Sequence, residues 1–140
     1  MWQIIASVFP RLLDLVYKLI QRPRIKVRVK ELHYGNVQNE PNSSIVFITP
    51  YPSHYYARIE FSNVGGKLTT IKEVILIIDG KLKLPQSESK PFKLEPGGFQ
   101  KEIAIFPVKS EIALKEGLFE IQAIDVFETK SKDKGRFPLH

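Results

Sequence analysis

Chemistry in this chain would have to come from three histidines, a few carboxylates and the hydroxyls, because there is no cysteine to serve as nucleophile or soft metal ligand. His33, His54 and His140 have no second His, Cys or carboxylate at metal-ligand spacing. Glu120, Asp125 and Glu128 fall in one strand-like run. An exposed or edge-facing carboxylate row is expected there, not the paired acids of a glycosidase. The glycine pairs at 65–66 and 97–98 read as turns, since no P-loop, G-x-G-x-x-G or G-x-S-x-G pattern surrounds them. The sequence points to a non-enzymatic protein with no catalytic residue, no metal and no cofactor.

What the side chains are equipped to do is meet anions. Residues 1–30 hold seven cations against Asp14 alone, which accounts for the whole net charge of +6, while residues 31–140 balance fourteen against fourteen. Arg24-Ile25-Lys26-Val27-Arg28-Val29-Lys30 alternates strictly, the period of a strand with Ile25, Val27 and Val29 facing a core. Arg24, Lys26, Arg28 and Lys30 then line the opposite face, with Arg22 just before them. Such a ribbon suits anionic headgroups or a nucleic-acid backbone. Charge on an edge strand also protects it from aggregation, whatever else it does. No aromatic side chain lies between Arg22 and Lys30 to stack on bases, so nucleic acid is the disfavoured partner.

The element ahead of this ribbon is the most apolar part of the chain. On a helical wheel at about 100° per residue, Gln3, Ser7, Arg11, Asp14, Lys18 and Gln21 form one polar stripe roughly 80° wide. Trp2, Ile5, Phe9, Leu12, Leu13, Val16, Leu19 and Ile20 belong to the broad apolar remainder. The spacing predicts a helix from about Val8 to Gln21, with Ser7 as cap and Pro10 in its first turn, ended by Arg22-Pro23. Cations after the apolar stretch and the lack of a small-residue cleavage site argue against a signal peptide. A spanning helix would carry Arg11 and Asp14 near the bilayer centre, at a few kcal/mol each. Two readings stay open: a helix lying in or inserted into an anionic membrane, or one packed on protein, including a second copy of the chain. The first implies a cytoplasmic, membrane-associated protein, with Arg22, Arg24, Lys26, Arg28 and Lys30 on headgroups.

The remaining chain, residues 23–140 after a helical segment 1–22, is long enough to bury a core without disulfides. Short β-branched runs broken by Gly, Pro, Asn and Asp predict strands at 24–32, 44–49, 54–62, 71–79, 81–84, 99–106, 118–129 and 135–139. Asp79-Gly80 is the strongest hairpin signal. Inward faces are expected at Ala57, Ile59 and Phe61, at Ile103 and Ile105, and at Phe119, Ile121 and Ala123. Val74 to Ile78 reads as a central strand. Residues 107–117 fit a loop or a helical turn equally. Tyr51, Tyr55 and Tyr56, beside Pro50 and Pro52, form either an aromatic rim for a partner or a cap on the core. The fold class is all-β: an Ig-like antiparallel sandwich of seven or eight strands preceded by one amphipathic helix.

Phe61-Ser62-Asn63-Val64-Gly65-Gly66, the run Ile71–Gly80, Leu94-Glu95-Pro96-Gly97-Gly98 and the run Gly117–Asp125 together resemble bacterial Ig-like modules of the CARDB type. The chain is similar as well to uncharacterised bacterial and phage proteins with a hydrophobic N-terminal segment before such a domain. The resemblance implies sandwich architecture and no enzymatic residues. Functionally, the expectation is a membrane-peripheral or membrane-anchored interaction module; the alternative is a soluble structural protein that oligomerises or docks through its helix.

Overall fold

The computed structural model describes residues 12–13, 22–36, 53–88 and 90–140. Eight strands follow one another: β1 (Ile25–Asn36), β2 (Ser53–Asn63), β3 (Thr69–Ile78), β4 (Leu82–Pro85), β5 (Phe92–Leu94), β6 (Phe99–Pro107), β7 (Gly117–Asp125) and β8 (Lys130–Phe137). They form two antiparallel sheets, β1-β2-β6 and β4-β3-β7-β8, and β5 pairs with β3 on the same edge as β4. Alternation along each strand places one row of side chains inward. Ala57, Ile59, Phe61, Ala104 and Phe106 of the first sheet share one core with Val74, Leu76, Ile78, Phe119, Ile121 and Ala123 of the second.

The expected turns are where the sheets change direction. Asp79 and Gly80, at φ 50° and 70°, both have the positive φ that a type I′ hairpin needs, and Lys81 N–H bonds back to Ile78 O at 3.0 Å. Residues 109–112 close a turn through Ile112 N–H to Lys109 O at 3.1 Å, not a helix.

Three expectations need correction. The inward row of β6 is Ala104 and Phe106, continued by Val108 just past its end, whereas Ile103 is 46% exposed and Ile105 half-buried. Register decides this: Ala104 pairs with Ala57 and Phe106 with Tyr55, and directly opposed residues must share a face. The run 118–129 is not one strand, because Asp125 ends β7 and a turn leads into β8, which begins at Lys130 rather than 135. β1 runs on to Asn36 past a bulge between Val29 and Glu31. The extra residue shifts the phase of the strand, so Leu32 and Tyr34 continue the inward row of Ile25, Val27 and Val29.

The expected strand at 44–49 lies outside the described residues. So does most of the N-terminal segment. Of it Leu12, Leu13 and the final Arg22 are described; the two leucines are helical and more than half exposed.

Candidate functional site

The basic ribbon lies where alternation puts it, on the outward face of an edge strand. Lys26 and Arg28 are exposed and make no ion pair with another described residue. Lys30 reaches Glu60 of β2 at 3.9 Å, and past the bulge Glu31 meets Arg58 at 3.7 Å and His33 at 3.1 Å. The imidazole of His33 stacks on Tyr56, with ring centroids 5.1 Å apart. The free positive charge is therefore confined to the first half of β1.

A second row of cations stands on β8, the edge strand of the other sheet. Lys130, Lys132, Lys134 and Arg136 alternate outward, and among the described residues only Lys134 of the four has a carboxylate partner, Glu120 at 3.4 Å. The Glu120 carboxyl is held below its ordinary range, first by the Gln122 amide at 2.7 Å; burial opposes this as the next-largest effect, and Lys134 and the charge of Lys132 add to the lowering. This row was missed from sequence because the sum over residues 31–140 is zero. The local signal, K-S-K-D-K-G-R at period two, was there to be read.

The two edges come together. Asp133 points inward from β8 and accepts a hydrogen bond from Val29 N–H of β1 at 2.8 Å, which clips the sheets to each other. Farther along, Leu32 and Leu139 exchange backbone hydrogen bonds at 2.9 and 2.8 Å. On the other side of the clip the edges part around an open cleft of about 640 Å³. Lys26 and Arg28 line it from β1, Lys130 and Lys132 from β8, with Ser62, Ser131 and Phe99 between. Glu60 and Asp133 also line it, so four cations face two carboxylates, one of which is engaged by the clip. This arrangement can hold phosphate or carboxylate groups by charge and hydroxyl donors.

Two buried polar side chains build the end of the molecule beside the cleft. Asn63, fully buried, accepts from Arg24 N–H (3.2 Å) and Gly65 N–H (3.0 Å) and donates to Lys67 O (2.8 Å) and Leu94 O (3.0 Å). It thus ties the start of β1, the β2–β3 loop and β5 to one point. The loop passes so close that a Cβ on Gly65 would lie 2.1 Å from Arg22 O, which admits only glycine. Asp125, 1% exposed, accepts from Thr69 Oγ1 (2.9 Å), Phe127 N–H (3.0 Å) and Thr129 N–H (2.9 Å), fixing the β7–β8 turn against β3. The expected row of Glu120, Asp125 and Glu128 does not form on one face. Asp125 faces inward, and Glu128 lies in the turn paired with Lys72. The identity of Asn63 and Asp125 as knots was not legible, because an Asn or Asp at a strand end looks the same whether it caps a turn or faces water.

Of the two alternatives for the tyrosines, Tyr55 takes the core cap. Tyr55 is fully buried, and its hydroxyl donates to Leu114 O at 2.7 Å and accepts from Leu114 N–H at 2.8 Å. Its inward position on β2, opposite Phe106, makes it a cap on the core. Tyr56 is half-buried against His33, and Tyr51 lies outside the described residues. Of the apolar contact residues expected in the N-terminal segment, Leu12 and Leu13 are described, while Trp2, Ile5, Phe9, Val16, Leu19 and Ile20 are not. A scan against known protein families and a search of curated proteins find no match to this chain.

Proposed function

We propose that this protein is a non-enzymatic, membrane-peripheral or membrane-anchored interaction module, built as an N-terminal amphipathic helix on an Ig-like sandwich. One observation carries the reading: cations of two separate edge strands line a single cleft, on the strand that directly continues the most apolar segment of the chain. Apolar residues of 1–21 enter the acyl boundary, and Arg22, Arg24, Lys26 and Arg28 meet headgroup phosphates, joined by Lys130 and Lys132. Each basic residue near an anionic leaflet contributes about 1 kcal/mol, so the cluster converts a marginal helix into stable attachment.

Co-sedimentation with vesicles tests this. The full chain is expected to partition onto phosphatidylserine-containing vesicles and weakly onto neutral ones. Replacing Lys26, Arg28, Lys130 and Lys132 with Gln should lower the partition coefficient by a factor approaching roughly a thousand, at about 1 kcal/mol each. A full chain that ignores anionic vesicles and sediments as a dimer or larger species would overturn the reading in favour of a helix used for oligomerisation.

A further inference from the structure

The pole where residues 22–24 join the body carries exposed apolar side chains at its tips. Val64 (52% exposed) and Leu68 (45%) stand on the β2–β3 loop, Val126 (51%) and Phe127 (48%) on the β7–β8 turn. The two tips are neighbours: Val126 N–H bonds to Thr70 O at 3.0 Å, and Thr69 is tied to Asp125. They are also rigid, since the Asn63 and Asp125 knots set the backbone of each. Phe99, 56% exposed, begins β6 at the same pole, where Gly98 O accepts from Asn63 N–H at 3.0 Å.

Charge surrounds these tips with one prevailing sign. Arg22, Arg24 and Lys130 flank them, and Lys67 Nζ lies 4.4 Å from the centroid of the Phe127 ring. A lysine beside an aromatic tip has its stem on apolar surface and its ammonium at the outer edge, the arrangement favoured at a headgroup boundary. The acidic residues of these loops are Glu95 and Glu128, and Lys72 holds the second. The opposite pole exposes apolar residues too, Ile112, Leu114 and Leu118, but there both signs mix, Asp79, Glu111 and Glu116 with Lys109, Lys115 and Arg136. Exposed apolar area alone does not separate the ends. Charge and chain continuity do.

We infer that the sandwich docks pole-first on an anionic lipid surface, with Val64, Leu68, Val126 and Phe127 inserted at the acyl boundary as a second contact beside the N-terminal segment. The inference rests on the membrane reading above and adds to it an orientation and a set of inserted residues. A pair of exposed apolar loop tips flanked by Arg22, Arg24, Lys67 and Lys130 matches a fluid anionic interface, where an apolar contact is combined with cations on headgroups.

Tryptophan scanning of the full chain tests it, because Trp2 is the only native tryptophan and Trp2→Phe leaves a silent background. In that background Val64→Trp, Phe127→Trp and, at the far pole, Ile112→Trp are compared on phosphatidylserine-containing vesicles with brominated acyl chains. Blue-shifted, quenched emission from the first two and unchanged emission from the third is the expected result. Val64→Ser with Phe127→Ser, at unchanged thermal midpoint, should weaken vesicle binding about tenfold. If the chain binds vesicles while position 64 and position 127 stay unquenched, or position 112 is quenched as strongly, pole-first docking is wrong and the membrane reading survives. If the unsubstituted chain does not bind, both fall together.

Discussion

At the scale of single residues, Asn63 and Asp125 hold more of the molecule than their size suggests. Asn63→Ala would strand two part-buried N–H groups and two carbonyls that it now satisfies, so a loss of about 2–3 kcal/mol is expected in urea unfolding. Asp125→Ala should cost a similar amount. Asp125→Asn should cost much less, because its Oδ1 still accepts from Phe127 and Thr129 and the Thr69 hydroxyl can turn to accept. Tyr55 gives a pH signature. Burial raises its phenol above the ordinary 10.0, helped by the Tyr34 and Asp79 charges and opposed by the Leu114 N–H, so the folded state keeps the proton more tightly than the unfolded chain. Its contribution is whole below about pH 10 and is lost as pH rises through the folded pKa. Urea midpoints should therefore fall on the alkaline side, and Tyr55→Phe should flatten that limb while costing about 1–2 kcal/mol at neutral pH for the lost Leu114 bonds.

At the scale of elements, the faces of β6 give the sharpest contrast. Ile103→Lys, on the outward face, should shift stability by less than about 0.5 kcal/mol, whereas Ala104→Asp, opposite Ala57, should prevent folding as judged by circular dichroism. From sequence the assignment went the other way, because two isoleucines outweigh one alanine in any hydrophobicity count. Facing was legible where apolar and polar residues alternate without exception, as in Ala57-Ile59-Phe61 and Phe119-Ile121-Ala123. It was illegible where apolar residues occupy both faces and only the partner strand chooses. The hairpin at Asp79-Gly80 was legible because it needs positive φ at both central positions. β5, three residues without alternation to display, was not. The ribbon on β1 could be read as a strand face, but its companion on β8 could not be joined to it. That pairing depends on two sheet edges far apart in sequence meeting through Asp133 and Val29. Asp133→Ala removes the clip and should cost about 1–2 kcal/mol in urea unfolding while leaving both cation rows in place.

At the scale of the whole molecule, charge is distributed by edge and by pole. A net charge of +6 would suggest a diffuse field, yet cations of two strands meet where β1 and β8 part, and Arg22 and Arg24 stand where the chain joins the body. Vesicle binding should accordingly fall steeply with ionic strength, retaining an apolar remainder at high salt, since the Debye length shrinks from about 10 Å at 0.1 M to about 3 Å at 1 M. The orientation of β1 has a mechanical side as well. This strand begins at the pole beside the apolar segment, and its hydrogen bonds to β2 extend along nearly its whole length to Asn36. A pull on residue 24 along the strand would load that ladder in shear, with every bond stretched at once, instead of peeling the bonds open one by one. Tension between a surface and the far end of the body would then be shared along the strand, making the β1–β2 seam a strong joint.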